Sequence, residues 1–517
     1  MSESYSPPPG SSLAAETLSV RDPGLLVEGV REVLKGVGRG TMSSVAYDTA
    51  WVARLGELDW ELSSRALNWL AENQLPDGSW GAEKPLYYHD RVISTLAAMI
   101  ALTYRGRRAR DRVQIERGLA ALDAITSNTT QRLYSDSSGP TVGFEMIVPN
   151  LVAEAETLGL IRRQSEKILG RLSHQRKVKL DLLRGKMVNR HITAAFSAEM
   201  AGRDNQHMLD IEGLQETNGS VGDSPSATAY YALYVRQGDE KALGYLRAVT
   251  GPDGGAPDLL PIDVYEACWV LWNLSLAGEW DSETRTLAKP LLDLLRKSWK
   301  PGKGVGFSGS YSIADGDNTS FVYEVLARFG QPVDIETVLA FEGKENFRAY
   351  DLEANGSPSV NIHALGALRQ AGFPPSSPTV QKILRYLIRT RVDGAYWFDK
   401  WNYSPYYTTA HAVIACAGFA NELAHPSVEW ICRTQNPDGS WGYQFSSAEE
   451  TAYCIQALSH WRGHGQPPAA AIKRAAAWLR QNIEAPYRPL WIGKGMYTPG
   501  LIVRSTILSA LLIAEKG

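Results

Sequence analysis

The sequence predicts an all-α protein built as two α/α-barrel domains, and three observations carry that prediction. Apolar residues recur at helical spacing along nearly the whole chain, helical segments follow one another across Pro/Gly/Asp turns, and one eight-residue motif occurs near both ends.

At 517 residues the chain exceeds one core of usual size, which implies two domains of roughly 200 to 250 residues. Helical spacing is plain in Val264, Cys268, Leu271 and Trp272, and again in Phe321, Val322, Val325, Leu326 and Phe329. The helical segments end at turns such as Gly251-Pro252-Asp253-Gly254 and Pro375-Ser376-Ser377-Pro378. Such a succession stacks helix pairs into a closed ring or a solenoid. The repeat favours two rings: Gln74-Leu75-Pro76-Asp77-Gly78-Ser79-Trp80-Gly81 returns as Gln435-Asn436-Pro437-Asp438-Gly439-Ser440-Trp441-Gly442, with weaker echoes at Asn218-Gly219-Ser220 and Asp393-Gly394-Ala395-Tyr396-Trp397. Each copy reads as a staple in which Gln bonds to the last carbonyls of its helix, Asp-Gly turns the chain, and Trp packs on the next helix.

A formal charge of −3 with both signs interspersed leaves no electrostatic footprint for nucleic acid or an anionic membrane. Cys268, Cys416, Cys432 and Cys454 lie in apolar segments without C-x-x-C pairing, which argues against a disulfide framework or zinc knuckle and fits the cytoplasm. Residues 1–23 are rich in Ser, Pro and Gly, lack a signal peptide's basic start and apolar stretch, and read as a disordered leader. The longest apolar run, Val92 to Thr103, is shorter than the ~18 residues of a spanning helix and predicts a core helix without stable membrane insertion.

The chemistry concentrates in Ala314-Asp315-Gly316-Asp317-Asn318-Thr319-Ser320, ahead of a helix predicted from about Ser320 to Phe329. In an extended 314–317, Asp315 and Asp317 point to one side, where two carboxylates cannot both ionise cheaply and burial raises the cost further. One then keeps a proton at neutral pH and can donate it. The same residues also suit a plain helix cap at Asp317 or Asn318, and D-x-D-N alone does not choose.

The wider pattern does. Ser43-Ser44-Val45-Ala46-Tyr47-Asp48-Thr49-Ala50-Trp51, Gln74 to Gly81, Gly143-Phe144-Glu145-Met146-Ile147-Val148-Pro149, Pro261-Ile262-Asp263-Val264-Tyr265-Glu266, Asp399-Lys400-Trp401, Glu449-Glu450-Thr451-Ala452-Tyr453 and Pro489-Leu490-Trp491-Ile492-Gly493-Lys494 occur in order. From about residue 40 onward the chain resembles the bacterial class II diterpene cyclases, the copalyl diphosphate synthase group related to squalene-hopene cyclase. The resemblance implies a βγ didomain, with a γ barrel over residues 24–290 and a β barrel over 291–517 carrying the acid motif. Residues 1–23 form the leader, with room for a first β-domain helix.

The resemblance makes Asp317 the proton donor, Asp315 its support and Asn361 the residue that orients the proton. The family's D-x-D-D ends here in Asn318, which removes a charge beside the donor and keeps a hydrogen-bonding side chain. His363, two residues beyond Asn361, reads as an ordinary core or surface histidine. For the substrate's diphosphate and a Mg2+ ion the resemblance implies Glu199 near the metal and Arg236 and Lys400 near phosphate oxygens, while Asp253 stands where plant relatives carry a terminating histidine. Trp269, Phe307, Tyr311, Trp397, Trp401 and Tyr406 are candidate walls for a carbocation, and core packing explains any one of them equally well. The implied reaction is protonation-initiated cyclisation of geranylgeranyl diphosphate to a bicyclic labdane-type diphosphate; farnesyl diphosphate is the alternative substrate. No D-D-x-x-D run is present for ionising the diphosphate. An α/α-barrel glycoside hydrolase and a non-catalytic helical-repeat subunit are the competing readings, and a homodimer is left open.

Overall fold

Helices that are buried around most of their circumference line the inside of the larger barrel. In the computed structural model these are Asp263–Ser275, Gly316–Arg328, Pro358–Gln370, Pro405–Cys416, Ala448–Trp461 and Gly500–Glu515, each packed on the next and the last on the first. Their buried surface takes in polar side chains such as Asn361, Glu450 and Gln456 as well as apolar ones, and burial all round suits that inner position. The outer helices carry one stripe instead: in Pro378–Thr390 only Val380, Ile383, Tyr386 and Leu387 are buried. Ser282–Ser298, Asn421–Arg433 and Ala469–Gln481 complete the outer layer with Pro23–Gly36, which packs on both the first and last inner helices.

The structure describes residues 23–516 apart from 107, 128–135, 162–168, 170, 171, 184, 354, 463 and 465–468. The expected leader therefore lies, except for Pro23, outside the described residues.

The smaller barrel has an inner ring of Ala46–Ala53, Tyr88–Arg105, Phe144–Thr157, the 3₁₀ segment Thr193–Ala201 and Pro225–Tyr230. Trp60–Glu72, Ala109–Ser127, Leu172–Leu182 and Glu240–Val249 lie outside it. Two α/α barrels are thus present, as the repeat predicts, but their border differs from the expected residue 290. One hydrophobic core ends at Ala256 and the other takes up again at Ile262. Helix 263–275 closes the larger ring against helix 500–515, so it cannot belong to the smaller one.

The repeated motif is a staple, with its bonds distributed differently from expectation. Trp80 and Trp441 donate their indole N–H to Leu70 and Ile431, carbonyls of the preceding helix, at 2.7 Å each. The glutamines instead join the turn to the following outer helix: Gln74 bonds to the carbonyls of Gly78 and Gln114, and Gln435 to those of Gly439 and Ala471. Gly78 and Gly439 sit at φ +91° and +95°, left-handed backbone that favours glycine.

A short antiparallel hairpin, Trp491–Ile492 with Met496–Tyr497, carries Lys494 at its turn into the seam between barrels. Lys494 Nζ bonds to Glu199 Oε1 at 2.7 Å, Ser224 at 2.7 Å and Ser226 at 2.6 Å, with neither charged side chain exposed.

Candidate active site

The acid helix begins at Gly316, four residues earlier than the sequence suggests, because Asp315 caps it. Asp315 Oδ1 accepts the Asn318 N–H at 2.7 Å, and Oδ2 accepts Asn318 Nδ2 at 2.9 Å. Asp317 therefore lies in the first helical turn, where a negative side chain is favoured by the helix dipole, rather than in an extended stretch. The two acids still interact: burial first, then the Asp317 charge, push Asp315 up to about 7. Gly316 is required between them, since a Cβ there would stand 2.1 Å from the Arg348 carbonyl oxygen.

The hydrogen-bond partner of Asp317 is His363, whose Nδ1 lies 2.6 Å from Asp317 Oδ1. Asn361 does not take that role. Its Oδ1 accepts from Phe347 N at 2.9 Å, and its Nδ2 donates to the carbonyls of Phe347 and Ser357. Two residues along a helix is a rotation of about 200°, so one of the pair faces the acid and the other the loop behind it. The His363 ring is stacked on Phe321 at 4.1 Å and meets Trp269 edge-on at 5.7 Å. Its Nε2 is 2.9 Å from Nδ1 of a second buried histidine, His411.

Asp317, Asp315 and Asn318 border a cavity between the barrels' facing loops and helices. Of the expected wall residues, Trp269, Phe307, Tyr311 and Trp401 line it. Trp397 and Tyr406 do not: Trp397 is a staple whose indole bonds to the Leu387 carbonyl, and Tyr406 packs on Trp430. Further rings come from residues the sequence left unassigned, Tyr265, Tyr350, Tyr407, Trp491, Tyr497 and Phe196. An aromatic chamber with carboxyl groups on its wall can protonate an apolar substrate and stabilise the cation that results.

Residues 351–466 match the model for the squalene-hopene cyclase C-terminal domain. A type B diterpene cyclase of Mycobacterium tuberculosis is 49% identical over 487 residues, covering 93% of this chain and 97% of that protein. The chain belongs to the class II diterpene cyclases. The (+)-kolavenyl diphosphate synthase of Herpetosiphon aurantiacus is 29% identical, covering 95% of this chain and 98% of its own. The structure of ent-copalyl diphosphate synthase from Streptomyces platensis superposes with a TM-score of 0.77 at 26% identity, covering 95% of this chain and 99% of that one. Membership displaces the glycosidase and helical-subunit readings.

In this cyclase the charged residues expected near the diphosphate do not gather at the cavity. Arg236 is paired with Glu212 on the surface of the smaller barrel. Asp253 is exposed and accepts the Trp69 indole N–H at 3.2 Å, so it is a loop anchor rather than a terminating base. Lys400 lies behind the cavity wall, bonded to Glu353 and the Asn355 carbonyl, 5.0 Å from the centre of the Trp401 ring. Glu199 is paired with Lys494 through Oε1, which also accepts from Tyr47 at 2.9 Å, while its Oε2 is buried without a partner. Among the described residues no three His, Cys, Asp or Glu side chains gather as a metal site. Asp258, unassigned from sequence, does reach the cavity, and burial pushes it up to about 6.

Proposed function

We propose that this cyclase converts geranylgeranyl diphosphate into a bicyclic labdane-type diphosphate of the copalyl kind, with the diphosphate retained. The observation that carries this reading is Asp317, bonded to His363 on the wall of an aromatic cavity.

Asp317 transfers its proton to the terminal alkene, and the carboxylate that remains accepts from His363. A positioned acid contributes about 10² to 10⁴ in rate. The tertiary cation would be trapped by water, so the chamber offers rings instead of lone pairs, each contact contributing roughly 2 kcal/mol when desolvated. Walls that fold the polyene before protonation supply orientation. Ring closure then passes the charge along the chain until a proton is lost. Magnesium enters with the substrate, because Mg2+ is held largely by phosphate oxygens and water in such complexes; no protein ligand is assigned to it. Three fully buried, unpaired cysteines support a reducing, cytoplasmic setting, and no helix among the described residues is long and apolar enough to cross a membrane.

The test is incubation with geranylgeranyl diphosphate and magnesium, then dephosphorylation and product identification, with farnesyl diphosphate in parallel. The wild type is expected to give a bicyclic C20 alcohol and Asp317→Ala only the linear one. Equal cyclic product from both would remove Asp317 as donor, and turnover of the shorter substrate alone would move the reading to sesquiterpenes.

A further inference from the structure

The echo of the staple motif at Asn218-Gly219-Ser220 lacks the tryptophan. Gln215 bonds to the Gly219 carbonyl at 2.8 Å, as Gln74 and Gln435 do in their copies, and Gly219 keeps the left-handed backbone at φ +91°. Val221 then takes the tryptophan's place, while Glu216 and Asp223, both buried, reach out of the smaller barrel towards the larger. Asp223 sits at φ +53°, a conformation that Asp tolerates better than most side chains.

Both acids hold the loop 307–312 that leads into the acid motif. Asp223 Oδ2 accepts the Ser308 hydroxyl at 2.6 Å and the Ser310 hydroxyl at 3.0 Å, and Asn218 Nδ2 donates to Asp223 Oδ1 at 2.6 Å and to Ser310 Oγ at 3.2 Å. Glu216 accepts the Ser312 N–H at 3.1 Å and its hydroxyl at 2.6 Å. Inside the loop, Ser308 Oγ accepts the N–H groups of Ser310 and Tyr311 at 3.2 and 3.1 Å. The larger barrel adds Asp263, whose Oδ1 accepts the Gly309 N–H at 3.0 Å. The loop has two faces. Phe307 and Tyr311, stacked with ring centres 4.1 Å apart, line the chamber that Asp317 borders. Ser310 lines a separate outer cavity with Asn218 and the exposed Arg39 and Lys241. The loop is therefore the partition between the chamber and a space open to solvent.

We propose that Asp223 and Glu216 are positioning residues that clamp loop 307–312 shut over the chamber, so that cyclisation ends in proton loss rather than in capture by water. The inference rests on the cyclase reading and gives the smaller barrel a part in the choice of product. With the loop shut, the last cation loses a proton from carbon and leaves an alkene. With it open, a water oxygen bonds to the cationic carbon and gives a proton to solvent, which leaves an alcohol. Neither acid touches the substrate. Each acts through the serines and so through the ring pair.

The experiment gives geranylgeranyl diphosphate and magnesium in oxygen-18 water to the wild type, Asp223→Gly and the loop-side variant Ser308→Ala/Ser310→Ala. Products are dephosphorylated after return to ordinary water and weighed by mass spectrometry, and amide hydrogen exchange of residues 308–312 is measured on the same proteins without substrate. Asp223→Gly keeps the left-handed backbone and removes the carboxylate. In both variants the ratio of labelled to unlabelled cyclic product should rise about 10-fold or more, and loop exchange should quicken by about 10-fold or more. Combining the substitutions should add little, because both sides break the same contact. An unfolded fraction lowers the yield without moving the product ratio, and the loop-side variant carries the test where Asp223→Gly fails to fold. Unchanged exchange in the variants overturns the clamp. Faster exchange with the wild-type ratio overturns its part in keeping water out, as does a wild type whose product is already labelled. Absence of cyclic product from the wild type would instead sink the cyclase reading, and the exchange result would still decide the clamp.

Discussion

Asp315 and Asn318 show how one residue's chemistry is set by its neighbour. Asn318 Nδ2 donates to the ionised Asp315, and Asn318 Oδ1, buried without a partner, can accept from a protonated one after a half-turn of the amide. An aspartate at 318 would add a third carboxylate to the same turn. Because Asp315 rises from 3.8 to about 7, the native state keeps a proton that the unfolded chain releases. Its contribution to stability is then present at low pH and falls as pH rises through that window. Asp315→Asn, which cannot ionise, should narrow the gap between melting midpoints at pH 5 and pH 8; an unchanged gap would show that Asp315 does not titrate there. His363 and Asn361 predict a contrast. His363→Phe should lower kcat by about 10² or more with KM little altered. Asn361→Ala strands the Phe347 backbone groups and should cost about 1–3 kcal/mol in denaturant titration, with kcat nearly kept in the folded fraction.

At the scale of elements, helical periodicity and the staple motif made the architecture legible in the sequence. Inner helices are buried all round and outer ones along one stripe, and the helical spacing of apolar residues that marks both is local. Asp317 came from the resemblance, since D-x-D-N alone suits a helix cap equally well, and the structure puts it in the first turn of helix 316–328 at the cavity wall rather than in the extended stretch expected. His363 was not legible: choosing it over Asn361 requires the rotation of helix 358–370 against helix 316–328, which no local pattern encodes. Arg236 and Asp253 failed in the opposite way, since a charged residue in the right order along the chain still faces whichever side its helix or loop turns outward. The staples themselves predict a large effect. Trp441 is fully buried and joins its turn to helix 421–433, so Trp441→Ala should destabilise by about 3–5 kcal/mol, measured as a lower unfolding midpoint, whereas Tyr443→Ala on the exposed side of that turn should cost far less.

For the molecule as a whole, Lys494 is the tie between barrels, reaching from the larger one to Glu199, Ser224 and Ser226 of the smaller. Lys494→Met leaves the Glu199 carboxylate buried without its cation, a loss of about 3–5 kcal/mol. Differential scanning calorimetry should then show the smaller barrel melting first as a separate transition; one undivided, unshifted peak would mean the tie carries little. The insertion of one barrel into the sequence of the other has its own outcome during synthesis. Helix 23–36 is made before helix 500–515, which forms its seat. The inserted barrel can fold as it emerges, while the acid-bearing ring stays an open horseshoe until helix 500–515 is free, so ribosome-bound chains stalled before residue 500 should hold a folded smaller barrel and no competent catalyst.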